Sequence, residues 1–373
     1  MTVRIRGTDI QYPDGSLQSS YTVTGPTGPG AATGATGPTG VGTNYSNANV
    51  AGYLSGSVTV GNITATGTIA MASSFKRNLL INGNMQIWQR GTSFTNVGNA
   101  GVPQYTVDRW FGYRVGNNDG VSISQQTGFS GFQYCARVSR AASDTRSQTI
   151  SFAQIIESVN MYDLAGQTVT VSFYARAGAN FSATSGILSA AIYTGTVADG
   201  TALQFSANLW TGQTSSFSSN ATLTTTATRY TVTGTISASA AAMCMYFSYT
   251  PVGTAGAADY VEITGVQLEV SSAATPYERQ VYSDQLAQCQ RYYEVVGGSA
   301  FVNYTLSGVP TIAMYCYKTQ KRVTPTSYGI ISGNFNTMTV AYGGVSYVDL
   351  GYSGSTLSAG VTFVGTGFVS AEL

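Results

Sequence analysis

Between Gly25 and Gly42 the chain reads, in triplets, GPT GPG AAT GAT GPT GVG. Gly opens five of the six triplets, at Gly25, Gly28, Gly34, Gly37 and Gly40, and Ala31 breaks the register. Such a period with Pro in second place restricts the chain strongly, because only Gly fits at an axis where three polyproline-like chains meet. The period predicts a short collagen-like triple helix over 25–42, and with it a parallel homotrimer. A flexible Gly/Pro/Thr linker is the other reading of the same residues. Six triplets span about 55 Å at about 3.1 Å per residue. A helix so short, with one interruption, needs trimeric neighbours to hold it.

The rest of the composition fits an all-β protein. Charged residues are 9% of the 373, against roughly 25% in an ordinary globular chain, while aromatics reach 12% and 25 of them are Tyr. Low charge with many aromatics argues against disorder, and abundant Gly, Ser and Thr argue for short strands and tight turns. A net charge of +1 provides no basic stripe for nucleic acid. The chain has no His, which excludes Ser-His-Asp and Cys-His catalysis and imidazole metal ligands. Cys135, Cys244, Cys289 and Cys316 lack metal-ligand spacing. They read as idle buried thiols, with a Cys135–Cys244 disulfide as the alternative. No secretory signal, membrane-inserting segment or cofactor is expected. Ca²⁺ held by Asp, Asn and carbonyl oxygens stays open, although no loop has EF-hand spacing.

Along the chain, residues 1–24 hold short β segments around a Pro13-Asp14-Gly15-Ser16 turn. Residues 43–76 are a Gly/Ser/Thr/Asn-rich shaft or a disordered linker. From Arg77 to about residue 280 apolar and polar residues alternate in short runs. Examples are Met85 and Ile87, then Val169, Val171, Phe173 and Ala175, then Met243, Met245 and Phe247. The period of two predicts a two-sheet β-sandwich. Gly265, inside the run from Val261 to Val270, predicts a bulge or strand end. A helical connector is expected over 281–297, centred on Tyr282–Val295, with Ser283 as cap, Leu286, Cys289 and Tyr293 as its apolar stripe and Gly297 as its end. Residues 298–373 read as a C-terminal β-rich domain dense in Tyr and Gly.

Taken together these stretches resemble bacteriophage tail-fibre and tail-tip proteins, including those of cyanophages. The likeness is carried by Gly7-Thr-Asp-Ile-Gln-Tyr-Pro-Asp-Gly-Ser-Leu-Gln ahead of the Gly triplets and by Arg77-Asn-Leu-Leu-Ile-Asn-Gly-Asn-Met-Gln-Ile-Trp-Gln-Arg-Gly-Thr. It continues in Tyr105-Thr-Val-Asp-Arg-Trp, Gln167-Thr-Val-Thr-Val-Ser-Phe-Tyr-Ala-Arg, Gly265-Val-Gln-Leu-Glu-Val, Thr275-Pro-Tyr-Glu-Arg and Cys289-Gln-Arg-Tyr-Tyr. The resemblance implies an elongated homotrimer with a jelly-roll module similar to carbohydrate-binding ones, placed in a virion tail fibre after assembly in the host cytoplasm. It further implies that residues 1–24 attach to other tail or baseplate proteins, and that host-surface glycan or lipopolysaccharide is the distal partner.

The expected function is non-catalytic host attachment, with a purely structural spacer and a polysaccharide depolymerase as the alternatives. A depolymerase needs two carboxylates flanking a glycosidic bond, and the acids here are scattered. Host contact is expected in residues 298–373, as a receptor-binding tip, rather than in the jelly roll. Candidate receptor contacts are the basic turn Lys318, Lys321 and Arg322, with Tyr315, Tyr317, Tyr328, Tyr342 and Tyr347, and, in the jelly roll, Trp210 in a polar loop context. Trp88 and Trp110 read as structural, and Asp108 and Arg109 as groups that fix a strand end.

Overall fold

The computed structural model describes residues 76–115, 121–301, 311–325, 327–333, 339–343, 347–352 and 362–372, together with three short strands before them. Those strands, β1 (Arg4–Arg6), β2 (Asp9–Gln11) and β3 (Leu17–Ser19), form an antiparallel meander. They belong to a unit separate from the one that begins at Met71. The expected turn at Pro13–Ser16, the Gly triplets and the 43–76 shaft lie outside the described residues, apart from Lys76.

The second unit is built on two six-stranded antiparallel sheets. The strands are β4 (Ser93–Thr95), β5 (Gln104–Tyr105), β6 (Phe111–Arg114), β7 (Val121–Thr127), β8 (Tyr134–Arg140) and β9 (Ile150–Ile156). They continue as β10 (Thr168–Ala177), β11 (Ile187–Gly195), β12 (Thr214–Thr222), β13 (Thr228–Thr235), β14 (Ala242–Tyr249) and β15 (Tyr260–Val270). The first sheet runs β13-β10-β15-β8-β7-β4 and the second β12-β11-β14-β9-β6-β5. From β8 onward the pairs nest: β8 with β15, β9 with β14, β10 with β13, β11 with β12. Successive nested pairs alternate between the sheets, which is the rolled-up double Greek key of a jelly roll. The expected sandwich is therefore present, and its strand order defines which kind it is.

The alternating runs place the core. Val169, Val171, Phe173 and Ala175 of β10 face Met243, Met245 and Phe247 of β14 across the sandwich in one cluster. Trp110 is its largest fully buried side chain, stacked on Phe152 at 5.0 Å and donating from Nε1 to the Ile81 carbonyl at 3.2 Å. At Gly265 (φ +60°) the register of β15 against β10 shifts. The bulge lets Ile263 on one side and Val266 and Leu268 on the other all face inward. A Cβ at Gly265 would stand 2.4 Å from the Phe132 ring, so both the φ and the close approach require Gly.

Three expectations change. The Met85–Trp88 run is not a strand: Asn82 (φ +56°) and Met85 (φ +55°) turn left-handed, and the Asn82 side chain takes the Gln86 and Ile87 amides. Helix α2 (Tyr282–Gln290), which follows the short α1 (Ala202–Ser206), stops five residues before Val295, and Tyr293 begins strand β16 (Tyr293–Phe301). Val281, not Ser283, holds its N-cap position. The reading of the cysteines as free thiols holds: Cys135 and Cys244 are free and buried, one on the outward face of each sheet, too far apart in the fold for the alternative disulfide, and Cys316 alone of the four is exposed. Burial pushes the Cys135 thiol up to about 12.

The remaining strands are β17 (Thr311–Cys316), β18 (Ser327–Gly333), β19 (Thr339–Gly343), β20 (Tyr347–Tyr352) and β21 (Thr362–Ser370). They form two three-stranded sheets, β16-β21-β18 and β17-β20-β19. Beyond β21 the chain returns to the jelly roll, where Glu372 pairs with Arg90 at 2.9 Å and with buried Arg109.

Candidate binding face on the second sheet

The outward face of the second sheet is set by the same alternation that fills the core. Residues one position away from each core residue point out, and the strand registers line them up across the sheet. One row runs Asn220, Ser189, Ser248, Ser151, Tyr113. The next runs Ser218, Ala191, Tyr246, Ala153, Phe111, Tyr105. A third holds Ser215, Tyr193 and Cys244, with Ile155 beyond. The part of this face open to solvent is a shallow trough at the Asn220–Ser189–Ser248 end, beside the half-buried Tyr193 and Tyr246 rings, while Ser151, Ala153, Phe111 and Tyr113 are buried beneath or beside it. None of the described residues in these rows is charged.

The rings form one continuous set. Tyr246 lies 5.3 Å from Tyr193, 5.7 Å from Phe205 and 6.5 Å from Tyr113, and its hydroxyl shares a 2.7 Å hydrogen bond with Ser151. Burial raises the phenol pKa of Tyr105, Tyr113 and Tyr193, so these hydroxyls stay protonated and serve as donors and acceptors at neutral pH. Tyr193, Tyr246, Ser189 and Ser248 are half-buried, and Asn220 and Ser218 are exposed. An apolar ring face beside convergent hydroxyls suits a ligand whose own surface alternates C–H and O–H groups.

One side of the trough is walled by residues 196–213, inserted between β11 and β12. Thr201 caps α1 with a reciprocal Gln204 contact, and Phe205 of this helix stands edge-on to Tyr193 at 5.5 Å. Trp210 props the flap from inside: it is 3% exposed, contacts Phe205 at 5.1 Å and donates to the Thr201 carbonyl at 3.2 Å. A Cβ at Gly200 would meet the Trp210 ring at 2.3 Å. Trp210, a candidate receptor contact from its polar sequence context, is instead buried, because its indole needs both a partner for Nε1 and cover for its rings.

The basic turn is also spent internally. Lys321 is fully buried and pairs with buried Glu294 at 2.5 Å, besides donating to the Gln290 carbonyl. Arg322 donates to the Ala371 carbonyl at 3.1 Å and reaches Asp199 of the flap at 3.4 Å. A buried carboxylate demands a paired cation, so Glu294 draws Lys321 in and leaves Lys318 as the exposed charge of the turn. Tyr317 is half-buried beneath the Lys321 ammonium at 4.8 Å, and burial, with Glu294 beside it, pushes its phenol up to about 12. Tyr315, Tyr328, Tyr342 and Tyr347 lie on β17, β18, β19 and β20, and their side chains are outside the described residues.

Asp108 and Arg109 fix chain ends. Asp108 accepts from the Gln89 amide at 2.9 Å, and Arg109 donates to the Ile155 carbonyl at 2.6 Å. Burial pushes the Asp108 carboxyl up to about 6, against the opposing pull of Arg90 and the Gln89 hydrogen bonds. A raised folded-state pKa means that this contribution to stability is complete below the unfolded value and is lost as pH rises through 6. Denaturant unfolding of wild type and Asp108→Asn at about pH 4 and about pH 7 should show wild type losing up to about 3 kcal/mol relative to the variant. An unchanged difference between the two pH values would contradict this.

Several other buried carboxylates are ion-paired. Asp144 is opposed by burial, but hydrogen bonds from Arg114 and Arg146 outweigh it and hold the carboxyl well below the usual range. Asp259 pairs with Arg140, Glu157 with Arg291, and Glu262 with Arg137 and Arg176. Among the described residues no three His, Cys, Asp or Glu side chains are grouped to hold a metal.

No family model matches the chain, and no curated protein matches its sequence. Solved structures give partial likenesses. The enzymatically active domain of bacteriophage CBA120 tailspike protein 4 aligns over 53% of this chain and 22% of its own, at 12% identity and TM-score 0.32. The carbohydrate-binding module CBM4 aligns over 51% of this chain and 98% of its own, at 19% identity and TM-score 0.31. TmCBM61, solved with β-1,4-galactotriose, aligns over 52% of this chain and 100% of its own, at 11% identity and TM-score 0.30. The jelly-roll assignment itself rests on the strand order.

Proposed function

We propose that this chain is a non-catalytic, glycan-binding attachment subunit of a trimeric fibre, with the outward face of the second sheet as its sugar-binding surface. The observation that carries the reading is the uncharged trough in which the Asn220–Ser189–Ser248 row runs beside the Tyr246 and Tyr193 rings. Pyranose rings stack on aromatic faces through C–H groups and hydrogen-bond through equatorial hydroxyls. Ion pairing of the buried acids favours binding over hydrolysis, since a glycosidase needs two carboxylates free to reach one bond. The Gly triplets at 25–42 supply the trimer, and threefold presentation turns weak single sites into firm attachment. The fuller reading is a phage tail fibre: residues 1–24 join it to the tail or baseplate, and the described jelly roll, with the Tyr-rich C-terminal strands, meets the host surface.

The decisive variant is Ser189→Arg, which fills the trough floor from an outward position and leaves the core untouched. Glycan-array and host-cell binding should fall by about tenfold or more, with the melting temperature unchanged. Full binding by this variant would remove the trough as the site. Release of oligosaccharide from host polysaccharide would replace attachment by depolymerisation, and mass photometry showing a single chain with the jelly roll folded would remove the fibre.

A further inference from the structure

The first sheet has an outward face of a different kind. Glu262 of β15 stands directly between Arg137 of β8 and Arg176 of β10. Its side chain is 0% exposed although it lies on the outward side, because the two guanidiniums close over it. Arg137 donates to Oε1 through Nε at 2.9 Å and Nη2 at 2.6 Å, and Arg176 donates to Oε2 through Nε at 2.5 Å. Each guanidinium also lies over a ring, Arg137 on Tyr260 at 4.0 Å and Arg176 on Phe129 at 4.6 Å.

Two consequences follow from this geometry. The row of two cations and one anion keeps a net positive charge in a chain where charge is scarce, so its field is not cancelled nearby. The contacts also use only one edge of each fork. Among the described residues nothing accepts from Nη1 of Arg137 or from either Nη of Arg176, and both side chains are about one-third exposed. Ordinary surface arginines must be ordered when a ligand arrives; these are already held by stacking and by Glu262, so less freedom is lost on binding. Hydroxyls continue the row, with Ser124 beside Arg137 and Ser93 beyond it. Packing alone would be met by Val or Thr at position 262, whereas a buried carboxylate with two cations costs desolvation.

We infer that this face is a second binding site, one that takes an oxyanion carried on a saccharide, the free edges of Arg137 and Arg176 donating to its oxygens. It is separate from the uncharged trough on the second sheet, and the two together would let one module read a neutral unit and an acidic unit of a heteropolysaccharide. The oxyanion can be a uronate carboxylate or a sulfate ester, and the probes separate these.

The test is calorimetric titration of the full chain with trigalacturonate, a sulfated galactotriose and neutral galactotriose at low and high salt. At about 50 mM salt, where screening is weak, one or both acidic probes should bind about tenfold tighter than the neutral one, and the advantage should shrink as salt rises. The probe that binds names the source of the oxyanion. Arg176→Lys keeps a cation against Glu262 but removes the outward Nη pair; it should lose most of the acidic preference while retaining the wild-type melting temperature. Glu262→Gln, which removes the neutralising charge, should tighten acidic binding. Ser189→Arg should leave acidic binding intact, so that failure of this site and failure of the neutral trough are read separately. Equal affinity for all three probes, or wild-type acidic preference in Arg176→Lys, overturns the inference.

Discussion

Trp110→Ala should lower the stability of the jelly roll by about 4 kcal/mol, within the roughly 3–5 kcal/mol range for emptying a buried Trp site. Trp110 is 0% exposed, stacks on Phe152 at 5.0 Å with 14° between planes, and lies 6.2 Å from Phe247. It therefore ties strand β9 to strand β14 beneath the trough, and its Nε1 fastens the Ile81 turn. The turn before it is strained, since Arg109 holds φ +73°, so the backbone is poorly placed to close the cavity. For a module of this size the loss corresponds to a fall in melting temperature of about 10 °C. Scanning calorimetry of the full chain measures it. Trp88→Ala, at a half-buried ring that packs only against the core edge, should cost clearly less. Equal losses for the two variants would mean that Trp110 is not the centre of the core.

The parts of the fold that were legible in sequence are those where one physical requirement acts locally. Val169–Ala175 and Met243–Phe247 alternate because each strand has one dry face, and both strands are where the alternation puts them. Gly265 announced the bulge because the phase of the apolar residues changes across it. The Met85–Trp88 alternation misled, because Asn82 offers the backbone a set of side-chain hydrogen bonds that compete with a ladder. Helix α2 was read too long because Tyr293 keeps the helical spacing of the stripe but is taken into β16 by pairing with Ser370, far along the chain.

The candidate faces were less legible than the fold. Ser189, Ser248, Ser151 and Asn220 are unremarkable one at a time, and only the registers between β9, β14, β11 and β12 make them a row. Glu262 appears in sequence as one scattered acid, and its two guanidinium neighbours come from positions 86 and 125 residues away. Trp210 and Lys321 were misplaced for the opposite reason. Their polar sequence contexts do not show that the flap folds Phe205 back onto Trp210, nor that Glu294, 27 residues away, draws Lys321 in.

Lys321→Met should cost about 3–5 kcal/mol of the stability with which the C-terminal segment docks, because it leaves Glu294 buried without its cation. Lys321 and Glu294 are both 0% exposed, and burial lowers the Lys321 pKa while Glu294 supports its charge. The pair fastens residues 316–322 to the end of α2 and the start of β16, through the Gln290 carbonyl and the Lys318 amide. Glu294→Leu alone should cost a similar amount, orphaning the ammonium. The double variant, with both charges replaced by apolar groups of like volume, should recover most of the loss, since well-packed apolar residues often match a buried pair. The resulting coupling of several kcal/mol would identify the interaction as direct. Urea unfolding, followed by a probe on the C-terminal segment, measures all four proteins. The same cycle bears on recognition. If Lys321 touched the host surface, the double variant would bind cells as poorly as the single one. The buried geometry requires instead that cell binding return with stability, leaving Lys318 as the basic residue of this turn that a ligand can reach.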